Sequence, residues 1–199
     1  ESMNRLQLLQ KVHSEASANG SSPSTTIGTT GETLRLLNWI ISAYEDVQNL
    51  HTDWDFLRED FSGSTIVGTR EYSITALSLD ELNAWYITKH DQEISIYKTV
   101  SDELFLQYRP WPDFRREYLV GSSSTTTGRP SFFSVKPDKS ITFDLIPDDV
   151  YTFRGEYFLR AQSMAETNTS EPIFPSQYHM AVVWKALMYY GAYYGATDV

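Results

Sequence analysis

Residues 51–74, HTDWDFLREDFSGSTIVGTREYSI, mark where the hydrophobic pattern of the chain changes period. Before this stretch apolar residues recur at helical spacing, and after Asp60 they alternate as in strands. Its first residues pose a chemical question, because His51, Asp53 and Asp55 stand at alternate positions. An H-x-D-x-D run can hold a metal or do acid–base work, but it can equally open a helix. Thr52 and Asp55 have capping-box spacing, and Asp53 falls where a first helical turn favours negative charge. Phe56 and Leu57 then turn toward a core, with Arg58 near the far end. A metal site needs a further ligand, and His13, His90 and His179 lie in unlike contexts. We read HTDWD as a helix start.

Upstream, Thr29 and Glu32 have the T-x-x-E spacing of another capping box. Ten apolar residues between Leu34 and Leu50 cover more than half the circumference of the helix that follows, so it needs neighbours on two sides. Residues 4–18 form a second amphipathic helix through Leu6, Leu8, Leu9, Val12 and Ala16, and the Ser/Thr/Gly-rich residues 17–31 form the loop between them.

Downstream, residues 61–74 read as two short strands around Gly68-Thr69, and residues 85–100 as another pair around His90-Asp91-Gln92. SDELFLQYRPW, residues 101–111, has the features of a helical turn ended by Pro110 and Pro112. GSSSTTTGRP, residues 121–130, is a second low-complexity loop. Residues 131–147 form a hairpin around Pro137-Asp138-Lys139, in which Ile141, Phe143 and Leu145 alternate with Thr142, Asp144 and Ile146 as in a half-buried strand. DDVYTFRGEYFLRAQ supplies one more strand. Pro175-Ser176 starts the last helix, whose one formal charge between Tyr178 and Thr197 is Lys185. Its length approaches that of a membrane span, but Lys185, His179 and four tyrosines argue instead for burial in a bundle or between subunits. Tyr-Tyr-Gly-Ala repeats there at four-residue spacing, so Gly191 and Gly195 share a face that another backbone can approach. No C-cap signal follows. The expected fold class is therefore α+β. A helical bundle built from both chain ends, 1–60 and 172–199, carries an inserted antiparallel, sandwich-like β domain, 61–171.

Composition narrows the function. The 199 residues contain no cysteine, which removes disulfides, thiolate catalysis and cysteine-ligated metals. A net charge of −10 opposes specific nucleic-acid binding but suits a wall past which DNA slides. The N-terminus lacks the apolar segment of a signal peptide, and Met3 fits a natural initiator preceded by two foreign or processed residues. No Walker A, dinucleotide, zincin or nucleophile-elbow motif is present. The acid pairs Glu59-Asp60, Asp80-Glu81, Asp102-Glu103 and Asp148-Asp149 sit beside turns, where solvated carboxylates are the default. We expect no enzyme, metal or cofactor.

The order of features resembles the adaptor, or head-to-tail connector, proteins of tailed bacteriophages. MNRLQLLQKVHSEA, residues 3–16, precedes residues 25–58, which end in W-x-F-L at Trp54–Leu57. G-T-R-E-Y follows at Gly68–Tyr72, then residues 128–158, then P-x-x-Y-H at Pro175–His179 within residues 173–196. Residues 77–116 match least. The resemblance implies a virion protein of the neck, assembled in the bacterial host cytoplasm as a homo-oligomeric ring, typically of twelve copies. Such a ring docks on the portal protein, meets a downstream tail or nozzle protein and lets genomic DNA through without specific binding or a membrane. In that setting the assembly interface falls on Trp184, Tyr189, Tyr190, Gly191, Tyr193, Tyr194 and Gly195, and the loops at 19–31 and 121–130 order on assembly. The alternative is a β-sandwich binding module of a virion or tail that recognises host-surface carbohydrate through Trp85 and Trp111.

Overall fold

In a computed structural model, which describes residues 2–88 and 93–195, the chain divides into two compact units. One comprises Glu1–Phe56 and Ala161–Val199, the other Leu57–Arg160. The fold is α+β, with helices at both ends and a central β region.

The first unit holds α1 (Arg5–Glu15) and α2 (Gly31–Asn49), together with a later helix, His179–Tyr194. Asn4 caps α1 through a reciprocal box with Gln7, each side chain meeting the other's backbone N–H at 2.9 Å. The Thr29–Glu32 box is not formed. The helix boundary is Thr30, whose side chain makes no cap hydrogen bond, and Gly31 takes the left-handed φ of 61° that brings the chain into α2. Leu36, Leu37, Ile40, Ala43 and Tyr44 of α2 pack with Leu8, Leu9 and Val12 of α1 and with Val182, Val183 and Ala186 of the last helix. Thus α2 does find neighbours on two sides. Residues 161–178 close this core with Met164 and Phe174. Buried Gln48 holds the segment as a strand partner would. Its Oε1 accepts the Gln162 N–H at 2.8 Å, and its Nε2 donates to the Gln162 carbonyl at 2.9 Å. The loop after α1 is likewise tied, because Asn168 Oδ1 accepts both the N–H and the hydroxyl of Thr26, at 2.7 and 2.8 Å.

HTDWD does not start a helix. A single 3-10 turn, Asp55–Leu57, leads directly into β1 (Arg58–Ser64). The reason is non-local, since all seven residues of β1 pair antiparallel with β9 (Thr152–Leu159), from Arg58↔Phe158 to Ser64↔Thr152. That ladder satisfies the backbone groups a helix would otherwise have used. The expected hairpin at Gly68 is also absent, because β2 (Glu71–Tyr72) pairs with β8 (Ile141–Phe143) in the other sheet. The turn expected at His90-Asp91-Gln92 lies outside the described residues. Its flanking strands, β3 (Leu82–Trp85) and β4 (Ser95–Tyr97), both pair with β9. Since β1 occupies one edge of β9 throughout, β3 and β4 share the opposite edge.

The five-stranded sheet has the order β1-β9-β4-β5, with β3 added on β9, and β5 spans Leu104–Phe105. The four-stranded sheet has the order β2-β8-β7-β6, where β6 is Gln107–Tyr108 and β7 Phe132–Val135. Its β6–β7 pair is parallel, so the β region is not wholly antiparallel. Phe61, Ile96, Phe153 and Tyr157 of the first sheet share one core with Tyr72, Phe133, Ile141 and Phe143 of the second. The Phe153 ring meets that of Phe143 edge-on at 5.2 Å. The two sheets therefore pack as a sandwich.

Two local readings are corrected by burial. Pro110 and Pro112 do not end a helix; they begin one, α3 (Trp111–Tyr118), with Pro110 at its N-cap and Phe114 buried. Strand β8 is buried on both faces rather than half-buried, lying between β2 and β7, and Asp144 just after it is buried too, accepting the N–H groups of Ser131 and Phe132 at 3.0 and 3.1 Å. The hairpin around Pro137-Asp138-Lys139 forms as read, with Lys139 at a φ of 67°. The low-complexity stretch at 121–130 contains a 3-10 helix, Gly121–Thr125.

The sandwich leaves no room at Gly63, where an added Cβ would stand 2.8 Å from both Leu77 Cδ2 and Phe153 Cζ. Gly63→Ala is therefore expected to destabilise the β unit by about 1–3 kcal/mol through overpacking, read as a lower denaturation midpoint with an unchanged slope.

Candidate assembly surface

The last helix, α4 (His179–Tyr194), begins from a 3-10 turn, Ser176–Tyr178, capped by Pro175. Its buried face consists of His179, Val182, Val183, Ala186 and Gly191. His179 is structural. Its Nδ1 accepts the Met3 N–H at 2.9 Å and its Nε2 faces the Phe174 carbonyl at 3.0 Å, which together require the neutral Nε2–H tautomer.

The opposite face is not buried. Trp184 is 62% exposed and Met188 60%, and with exposed Ala192 they form an i, i+4, i+8 stripe. Sequence reading missed Met188, although its spacing from Trp184 was the available signal. The remaining expected residues divide by contact. The Tyr189 hydroxyl donates to the Asp46 carboxylate on α2, while Lys185 Nζ lies 3.7 Å from the same oxygen and 5.3 Å from the Tyr189 ring centroid. Tyr190 meets Trp39 edge-on at 6.0 Å. Tyr193 packs on Trp39 at 5.5 Å beneath the Arg35 guanidinium at 4.5 Å, and the Tyr194 hydroxyl accepts from Arg35 at 3.1 Å. Arg35 and Trp39, four residues apart on α2, thus belong to this surface. Gly191 and Gly195 do not form the side-chain-free helix face expected of them. Gly191 is buried, and Gly195 is the C-cap, with a φ of 68° and its N–H returned to the Gly191 carbonyl.

Other candidates place differently. His51 is exposed and edge-on to Trp54 at 4.9 Å, with Asp53 and Asp55 exposed beside it. Among the described residues no three His, Cys, Asp or Glu side chains come together as a metal site. Trp85 is 7% exposed, packs on Phe61 and donates its Nε1–H to the Lys139 carbonyl at 2.8 Å, so it offers no face to a sugar. Trp111 is half-buried beside Phe114, with Lys136 Nζ 5.8 Å from its ring. Among the described residues no helix is long and apolar enough to cross a membrane.

The hydrogen bond to Asp46, with burial second, pushes the Tyr189 phenol from 10.0 up to about 12. Because the folded value is the higher one, this contribution to stability is fully present below the unfolded value and is lost as pH rises through the window between the two. Several tyrosines are held above the ordinary range, so the check is a difference: in tyrosinate absorbance Asp46→Asn should return one late-titrating tyrosine toward that range.

Comparison with known proteins places the chain. A search of curated proteins finds no match. The family model described as SU10 adaptor protein, in contrast, matches residues 3–198, nearly the whole chain and both of its units. The chain belongs to the SU10 adaptor protein family, structural adaptor proteins of phage virions.

Proposed function

We propose that the protein is the subunit of a dodecameric adaptor ring at the neck of a tailed phage, joining the portal to the tail and continuing the DNA channel. The observation that carries this reading is the exposed Trp184–Met188–Ala192 stripe on a helix whose opposite face is built into the core. A contiguous apolar stripe left in water is costly and marks a surface meant to be covered. Trp and Tyr beside Arg35 have the composition of interface centres. Trp184, Tyr193, Tyr194 and the edges of Tyr189 and Tyr190 would then meet a neighbouring copy or the portal, with Gly191 and Gly195 setting the packing and the end of the helix behind them. A downstream tail or nozzle protein would be the further partner, and assembly would take place in the host cytoplasm. The net charge of −10 lets genomic DNA pass without being gripped. We assign the protein no reaction.

The test is mass by light scattering, for the protein alone and with portal particles. A stoichiometric ring on the portal is expected. Trp184→Glu should leave thermal stability within about 0.5 kcal/mol, as for an exposed position, while abolishing assembly. A protein that ignores portal particles, or a Trp184→Glu variant that assembles normally, would sink the reading.

A further inference from the structure

We propose that Arg5 forms the floor of a socket for a single carboxylate, presented on an apolar stem by an acidic side chain of a partner polypeptide. Arg5 is only 4% exposed. Its Nη1 donates to the Ala165 carbonyl at 2.9 Å, its Nε has no hydrogen-bond partner, and among the described residues no carboxylate forms an ion pair with it. A guanidinium cannot shed its charge, so burial without a counter-ion leaves a standing electrostatic cost. The α1 packing that puts Arg5 there is fixed by its own backbone, since the Arg5 N–H donates to the Ser170 carbonyl at 2.7 Å.

Arg5 lines an open groove of about 230 Å³. Ile27, Leu34, Leu37 and Ile41 supply apolar walls and Thr29 a hydroxyl, while the Thr26 hydroxyl is committed to Asn168. The N-terminus of α2 borders the same groove. Thr30 offers its first turn no side-chain acceptor, so backbone N–H groups there add a positive potential that Glu32 in the same turn partly offsets. Glu166 also lines the groove but is exposed and unpaired with Arg5, so it remains in water rather than neutralising the guanidinium.

The chemistry of the walls selects the ligand. One buried cation balances one carboxylate, and the four aliphatic side chains cover a hydrocarbon stem. A phosphodiester backbone would bring repeated charge against Glu166 and a chain of net charge −10. No residue of α4 lines the groove, so the socket stands independently of the ring reading and could fail or hold without it.

Nitrogen-edited NMR of the arginine Nε–H signals in the full chain tests this, with isocaproate as the probe and isocaproamide and inorganic phosphate as comparisons. Arg5→Gln identifies the signal by removing it. Isocaproate should shift that signal saturably, and the amide and phosphate should not. Ile27→Asp, on the exposed rim, supplies a carboxylate in place and keeps the assay valid should Arg5→Gln fail to fold. It should weaken isocaproate binding about tenfold or more, as expected for a displaced charged hydrogen bond. The proposal is overturned by an absent shift, by an equal response to the amide, by phosphate binding as tightly, or by unchanged affinity in Ile27→Asp.

Discussion

The β region depends on the pairing of its first strand with its last. β1 and β9 run antiparallel in an unbroken register of seven residues, so the insert begins and ends on adjacent strands. The arrangement of the first sheet follows from that constraint. With one edge of β9 taken along its length, β3 and β4 must divide the other, and the inward side chains of β9, Phe153 and Tyr157, become the centre of the sandwich. Two glycines make the approach possible. Gly63 leaves space for Phe153 and Leu77, and an added Cβ at Gly155 would stand 3.0 Å from both Phe61 and Ile94. Pairing across so many intervening residues carries a loop-closure cost, which only the whole buried core can offset.

The helical unit solves the complementary problem of joining the two ends of the chain. Its core is aliphatic, but its precision comes from polar side chains that take the place of backbone partners. Gln48 pairs with both backbone groups of Gln162, Asn168 holds Thr26, and His179 bridges Met3 and Phe174. Buried polar groups satisfied in this way fix one arrangement, because any shift leaves them unpaired. Among the described residues this unit leaves the apolar stripe of α4 exposed and Nε of the buried Arg5 guanidinium without a hydrogen-bond partner. Both are states that a binding partner would relieve.

The acidic balance belongs to the same logic. The two carboxylates Asp60 and Glu156 stand directly opposite on adjacent strands, a like-charge pair whose repulsion is relieved by Arg58 Nε 3.5 Å from Glu156. A net charge of −10 makes the surface repel other polyanions at long range.

What the sequence determined by itself was local. The apolar density of α2 and α4, the Pro137-Asp138-Lys139 hairpin and the change of period near Asp60 were legible because neighbouring residues dictate them. The α+β class and the family resemblance followed from their order. Tertiary structure decided what depended on distant partners. His51–Asp55 had helix-start chemistry, yet β9 drew the following residues into a strand. Pro110 and Pro112 had the look of a stop, yet packing of Phe114 made them a start. In the candidate surface, the tyrosines were visible from their repeat, but the sequence could not tell which would be held by Asp46, Trp39 and Arg35. Met188 and Arg5 were overlooked for the same reason. An apolar residue on a helix and an arginine in a first turn are unremarkable in sequence, and only the packing of other segments exposes the one and buries the other.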